Sequence, residues 1–280
     1  MRKQFNLLAA ILILKSWWDY LARKTPEVGP RSNNLTCFGW FVGTNSLHQA
    51  KMRIADLLGL TTLFAIFAFT FALKINDFLA IRLPVDGNIL VVEGWIWKSS
   101  AMKEAMEEFK RGHYQWLVTV GEPAGEGEGT PVQESSAELA AGRLRELGVD
   151  ENLIVVLPVP KMTLHRTYGS ALTVRNWLSR SKTEATGVNV FTLGPHARKS
   201  LVLFERALGP GIPVGVIAGT DDTYSPSRWW LSARGIHVIT RKTLGYLYAV
   251  IWPLPENMPL PSETSDNPLP PGDKEVPIRK

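Results

Sequence analysis

The chain has 280 residues, of which 45% are hydrophobic and 20% charged; its formal net charge is +5 and it contains one cysteine, Cys37. This composition supports a full hydrophobic core and excludes a disordered protein, and a single cysteine excludes an intramolecular disulfide. Because the basic residues are spread along the chain, we interpret them as ordinary surface charges and expect no nucleic acid partner.

An uncharged apolar run predicts a transmembrane helix over residues 56–83. Residues 57–73 contain no charge, and the run continues at lower hydrophobicity to residue 83, which is long enough to cross a bilayer of about 30 Å. It is too long and too far from the N-terminus for a cleaved signal peptide. The alternative is a buried core helix of a soluble protein, around which the rest of the chain would have to wrap.

The charges on either side of this segment predict its orientation. The basic residues that precede it include Lys15, Arg23, Lys24, Arg31, Lys51 and Arg53, whereas only Lys74 and Arg82 follow closely. The positive-inside rule then makes residues 1–55 a basic cytoplasmic segment of a single-pass protein of the inner (plasma) membrane, with the C-terminal domain on the non-cytoplasmic side. Residues 5–14 are too short to span, so we favour an interfacial helix there; a second span reaching residue 21 is the alternative.

Short apolar runs alternate with amphipathic segments between residues 86 and 252. The runs lie in NILVVEGW, QWLVTVGE, NLIVVLPVP, GVNVFTLG and PVGVIAG, and helical patterns separate them. Strands separated by single helices form a parallel sheet with helices on both faces. The sequence therefore predicts an α/β domain, a three-layer, doubly wound, Rossmann-like fold with a mainly parallel five-stranded sheet. Residues 253–280, rich in proline and polar residues, predict a disordered tail.

Ligands of such sheets bind beyond the carboxyl ends of the strands. The helix after the fourth run begins with His196, Arg198 and Lys199, although cations are disfavoured at the positive end of a helix dipole. A bound anion, also contacted by Arg166 from the neighbouring helix, would explain their position. The alternative is that Arg198 and Lys199 point to solvent and that His196 only caps the helix.

Roles at this edge of the sheet are assigned as hypotheses. His196 is a candidate general acid or base, and Glu93 would assist proton transfer or hold a metal ion. The candidate ligand-binding residues are Gly94, Trp95, Gly121, Arg166, Thr167, Ser170, Arg198 and Lys199. The carboxylates of Glu93, Glu122, Asp221 and Asp222 could together hold Mg²⁺, but we favour a site without a metal. The sequence identifies no cofactor.

The segment GEPAGEGEGT resembles a phosphate-binding loop only in its glycines. Glu122, Glu126 and Glu128 would repel phosphate, and no Lys-Ser or Lys-Thr pair follows. We interpret the segment as a surface loop or flexible lid. Cys37 lacks the small preceding residue expected of a lipidated cysteine, and we assign it no role.

Four motifs, EGW after the first run, RTYGSA, GPHARKS and LFERALG, together resemble the ElyC/SanA/YdcF family of envelope proteins, which carry a domain of unknown function and an N-terminal membrane anchor. The similarity extends over residues 88–217. Arg166-Thr167 stands where the family has Asn-Thr, Ser170-Ala171 replaces Asn-Ala, and Lys199 holds the position of an arginine. The resemblance implies a role in cell-envelope biogenesis, around lipid-linked cell-wall precursors, and does not imply a particular reaction.

Two functional classes agree with these patterns. The first is a membrane-anchored envelope enzyme that acts on a phosphorylated or otherwise anionic precursor. The second is a membrane-anchored binding or assembly factor that uses the same anion pocket without catalysis, including for a nucleotide-like ligand. In both classes the expected partners are the lipid bilayer and an anionic small-molecule or lipid-linked ligand.

Overall fold

The computed structural model of the chain describes residues 42–125, 134–181 and 183–252. The chain divides into two compact units, Met1–Thr62 and Leu63–Lys280. The described part of the first unit belongs to helix α1 (Val42–Leu79), whose remaining turns lie in the second unit together with the α/β fold. The sites of the predicted interfacial helix, of Cys37 and of the predicted tail lie outside the described residues.

Helix α1 contains the predicted membrane-spanning segment. Within the described residues it is the one helix long and apolar enough to cross a membrane, over Asp56–Leu79, and 6% of its most apolar window is buried. Phenylalanines such as Phe64 and Phe67 are more than 60% exposed. The helix begins at Val42, before the predicted start at residue 56, and ends at Leu79, before residue 83.

The described residues form one six-stranded sheet. Its strands are β1 (Arg82–Leu83), β2 (Ile89–Glu93), β3 (Trp116–Gly121), β4 (Ile154–Pro158), β5 (Val188–Leu193) and β6 (Val214–Gly219), in the order β1-β6-β5-β2-β3-β4. All neighbouring strands are parallel except β1 and β6, which are antiparallel. The α/β class and the mainly parallel sheet are confirmed. The expected number of five strands was wrong, because a two-residue edge strand is too short to produce a periodic pattern.

Helices pack on both faces of this sheet because its central strands are apolar on both sides. They are α2 (Ala101–Arg111), α3 (Ser136–Glu146), α4 (Arg166–Arg180), α5 (Ala197–Leu208) and α6 (Ala233–Ile251). In β2, Ile89 and Val91 join the core that contains residues of α4 and α5. Leu90 and Val92 join the opposite core, with residues of α2 and α3. All four side chains are fully buried, as expected for a central parallel strand.

The chain reverses its direction across the sheet between β2 and β5. Strands β3 and β4 follow on one side of β2, whereas β5 and β6 lie on the other. Such a switch point leaves a crevice at the carboxyl ends of the two central strands, since the connections leave in opposite directions. Glu93 ends β2 and Thr192 lies near the end of β5, so both residues are at this crevice.

Candidate functional site

The buried carboxylate of Glu93 is the centre of the site. Its side chain is 3% exposed and accepts hydrogen bonds from three neutral donors. The indole Nε1 of Trp95 and the hydroxyl of Thr192 donate to Oε2, and the hydroxyl of Ser200 donates to Oε1 at 3.0 Å. These bonds replace the water that a buried carboxylate loses, and they hold Glu93 in one orientation.

His196 lies directly beside this carboxylate. A tight turn, Gly194–His196, connects β5 to α5, and Gly194 adopts a φ of +47° that favours glycine. The buried imidazole places Nε2 3.6 Å from Oε2 of Glu93 and 3.4 Å from the hydroxyl of Thr167. Trp95 packs edge-on against the ring, with 5.3 Å between the ring centroids. The structure thus brings together four of the predicted site residues: Glu93, Trp95, Thr167 and His196.

Lys242 of α6 reaches the other ring nitrogen of His196. Its Nζ lies 3.1 Å from Nδ1 and 4.5 Å from the centroid of the Trp95 indole. Burial, reinforced by Lys242, Lys199 and Arg241, holds the pKa of His196 well below its usual value, so the imidazole is neutral. Because a lysine ammonium only donates, Nδ1 accepts and Nε2 carries the proton toward Glu93 and Thr167.

The ammonium of Lys242 loses its proton only slightly above neutral pH. Burial lowers its pKa to about 8, an effect that Arg241 and Lys199 increase and that Glu93 and Asp221 oppose. Sequence reasoning missed this residue, which lies 46 positions after His196. The available signal was the pair Arg241-Lys242 in an otherwise largely apolar helix.

Lys199 lies in the first turn of α5 and is partly buried. Burial is the main cause that lowers its pKa; Arg166 and Arg241 act in the same direction and Glu93 against it. Among the residues that the structure describes, none accepts a hydrogen bond from its ammonium or forms an ion pair with it. Its charge is therefore partly desolvated without a direct counter-ion.

Arg198 occupies a different place from its neighbour Lys199. Its Nε donates to the backbone carbonyl oxygen of Phe78, and its guanidinium carbon lies 4.0 Å from the centroid of the Phe78 ring. This arrangement joins α5 to the last turn of α1. The structure does not bring Arg198 together with His196 and Lys242.

Two other predicted site residues of α4, Arg166 and Ser170, have different hydrogen-bond partners. Arg166 is 65% exposed at its side chain and donates Nε to Oε2 of Glu122, whose other oxygen is buried without a hydrogen-bond partner in the described part of the chain. The hydroxyl of Ser170 donates to the carbonyl of Arg166 within the same helix. Arg166 is thus a partly engaged cation at the rim of the site, and Ser170 is satisfied locally.

Two predicted ligand-binding glycines contact the start of α3. A Cβ atom on Gly94 would lie 2.5 Å from the carbonyl oxygen of Ser136, and one on Gly121 would lie 2.1 Å from its Oγ. Glycine at both positions therefore allows α3 to approach the ends of β2 and β3. This packing accounts for the two glycines, while their contact with a ligand stays a prediction.

The four carboxylates considered for Mg²⁺ have separate partners. Apart from Glu93 and Glu122, Asp221 accepts from the amide and hydroxyl of Thr223, and Asp222 accepts from Ser100. Within the described ranges, no group of three His, Cys, Asp or Glu residues is placed to hold a metal ion. The loop residues Glu126 and Glu128 lie outside those ranges.

The arrangement can attract an anion and exchange a proton. Two lysines, Lys199 and Lys242, lie near one carboxylate, and a neutral histidine connects that carboxylate to Lys242. No protein-family model, no curated protein and no solved structure matches the chain.

Proposed function

We propose that the chain is a membrane-anchored protein that binds a phosphorylated or otherwise anionic ligand at the carboxyl edge of its sheet. The observation that carries this proposal is the partly buried ammonium of Lys199, which lies in the first turn of α5 with no direct counter-ion in the described structure. An anion there would be held by the ammonium, by the backbone N–H groups of the helix start and by the helix dipole.

The balance of charge around the site supports an anionic ligand. The cations are Lys199, Lys242, Arg166 and Arg241, and the carboxylates that influence them are Glu93, Glu122 and Asp221. Glu122 is paired with Arg166, so Glu93 and Asp221 remain to balance Lys199, Lys242 and Arg241. These cations outnumber the two carboxylates by one, and a phosphate group would supply the missing negative charge.

Catalysis and simple binding are the two versions of this function. Proton exchange through Lys242, whose pKa is about 8, would suit an enzyme acting on a phosphorylated precursor. The engagement of both ring nitrogens of His196 inside the protein favours a binding or assembly factor. Turnover of lipid phosphates by the wild-type chain, absent in His196→Ala, would decide for the enzyme.

The proposed setting is the cell envelope, with a lipid-linked cell-wall precursor as the ligand class. The motifs that resemble the ElyC/SanA/YdcF family support this proposal, as does the apolar segment of α1. Counted along the chain, the five parallel strands lie in the order 3-2-1-4-5, which supports a Rossmann-like classification and thereby also a nucleotide-like ligand.

Lys199→Gln should weaken the binding of inorganic phosphate by about tenfold or more, because a charge-assisted contact of roughly 1.5 to 3 kcal/mol is lost. Arg198→Gln is the matched control, since it removes a positive charge from the same helical turn but from a side chain directed at Phe78. Titration calorimetry on the full chain in detergent measures both affinities.

The control should keep its affinity within about twofold while melting at a lower temperature, because the Phe78 carbonyl loses its donor. Equal affinity of wild type and Lys199→Gln would remove the proposed role of Lys199. Equal weakening by both variants would indicate a diffuse effect of net charge and would argue against a defined site.

The proposed orientation places the α/β domain outside the cytoplasm. The uneven distribution of basic residues around residues 56–79 supports this orientation. Alkaline phosphatase fused after Trp252 should be active in intact bacterial cells, and β-galactosidase fused at the same point should be inactive. Activity of only the β-galactosidase fusion would show that the α/β domain lies in the cytoplasm and would contradict the proposed orientation.

A further inference from the structure

Helix α6 exposes a row of large apolar side chains on the side away from its domain. This α6 outer face consists of Ile236, Leu244, Leu247, Tyr248 and Ile251, with exposed fractions from 42% to 74%. The opposite side of the same helix buries Val238, Ile239 and Ala249. The helix is thus apolar on two sides, and its own domain covers only one of them.

Neighbouring residues enlarge this apolar surface. Leu164 is 66% exposed and precedes His165, whose ring stacks on Tyr248 with 5.8 Å between centroids. Trp252, four residues after Tyr248, is 55% exposed and also stacks on the Tyr248 ring. A large exposed apolar surface of this kind on a folded domain marks a place of contact with another protein, a membrane or an apolar ligand.

The position of α6 beside α1 indicates which kind of contact covers this surface. Val238 and Ile239 pack in one buried cluster with Ile75 and Leu79 of α1, and the rings of Phe78 and Tyr246 meet edge to face at 5.5 Å. The uncharged run of α1 ends at Leu73, and Lys74 follows it directly before Ile75, the first residue of this cluster. The residues that hold α6 therefore lie immediately next to the expected membrane boundary.

The composition of α6 matches an anionic lipid surface. The helix contains three cations, Arg234, Arg241 and Lys242, and no acidic residue. Arg234 and Arg241 are exposed. Aromatic residues such as Tyr248 and Trp252 are typical of the zone between hydrocarbon and headgroups, and flanking arginines can reach lipid phosphates.

We propose that the α6 outer face lies in the interface of the membrane and is covered by lipid. The proposal rests on the proposed membrane span of α1. Continuity with that span and the basic, aromatic composition favour lipid over a second copy of the chain. Arg241 and Lys242, which border the anion site, would then lie at the level of the headgroups, so the site would open toward lipid-linked anions.

Spin labels on single cysteines test this placement in the full chain. In a Cys37→Ser background, labels are attached at Leu247→Cys, at Phe67→Cys within α1 and at Lys103→Cys, whose native lysine side chain is 71% exposed on α2. The protein is reconstituted in vesicles of phosphatidylethanolamine and phosphatidylglycerol. Power saturation with oxygen, which concentrates in hydrocarbon, and with a water-soluble nickel chelate reports the depth of each label.

We expect the oxygen-to-nickel accessibility ratio at position 247 to be several-fold higher than at 103 and lower than at 67. A ratio at 247 equal to that at 103 would overturn the proposal, as would a label shielded from both reagents, which would indicate protein contact. An aqueous label at 67 would refute the span of α1. A lipid-exposed label at 67 together with an aqueous one at 247 would refute only the placement of α6.

Discussion

Replacing Glu93 with alanine should lower the free energy of unfolding by about 3 to 5 kcal/mol, the cost of breaking a buried charge network by removing one member. The change removes the acceptor for Trp95, Thr192 and Ser200, and two of these donors are buried hydroxyls. It also removes the negative charge that Lys199 and Lys242 share. Chemical denaturation of the full chain in detergent, followed by circular dichroism, measures the loss.

Two further variants separate charge from hydrogen bonding. Glu93→Gln keeps an oxygen acceptor of similar shape, so its loss should be smaller, about 1 to 3 kcal/mol. Glu107→Ala removes a carboxylate that forms an exposed ion pair with Lys103, and it should change stability by less than about 1 kcal/mol. A loss in Glu93→Ala as small as that in Glu107→Ala would show that the network around Glu93 is not formed.

The stability of the protein should rise by about 2 kcal/mol between pH 7 and pH 9.5 because of Lys242. In the folded protein this lysine loses its proton near pH 8, whereas in the unfolded chain it keeps the proton to about pH 10.4. Over this interval the unfolded state holds more protons, so the free energy of unfolding increases with pH. Lys199 has a lowered pKa and acts in the same direction.

Denaturation midpoints at half-unit steps of pH measure this rise. Lys242→Met should remove most of it, and Lys103→Met, the exposed control, should keep it. The series ends at pH 9.5 because burial raises the pKa of Tyr114 to about 12, which makes stability fall once unfolded tyrosines ionise near pH 10. A flat profile for the wild type, or an identical rise in Lys242→Met, would contradict the burial of this ammonium.

The sheet could be predicted because its strands are short, apolar and separated by helices with one polar side. All five parallel strands lie where predominantly apolar runs stand in the sequence, since central strands are buried on both faces. Strand β1 could not be predicted in this way. Its pairing with β6 involves two residues, Arg82 and Leu83, and depends on the position in the fold at which α1 ends.

The candidate site was only partly accessible to sequence reasoning. Glu93 ends β2 and His196 follows β5, two strands that neighbour each other at the switch point, and topology alone brings these residues together. Arg198 and Lys199 are adjacent in sequence, yet consecutive helical residues point about 100° apart, and contact with Phe78 decides the direction of the first. Lys242 comes from a helix beyond the sheet, and no local pattern specifies where that helix packs.

The junction between α1 and the domain contains no free length of chain. Phe78 is held by Arg198, Asn76 accepts a 2.8 Å hydrogen bond from the hydroxyl of Tyr224, and β1 begins three residues after α1 ends. A domain on a long tether samples a volume above the bilayer, whereas this domain would move together with residues 63–79 of α1, the part of the proposed span that belongs to the same compact unit. The site would then meet membrane-bound ligands by diffusion in the plane of the bilayer, at a fixed distance from its surface. A ligand would bind only if its charged group lay at that same distance from the bilayer.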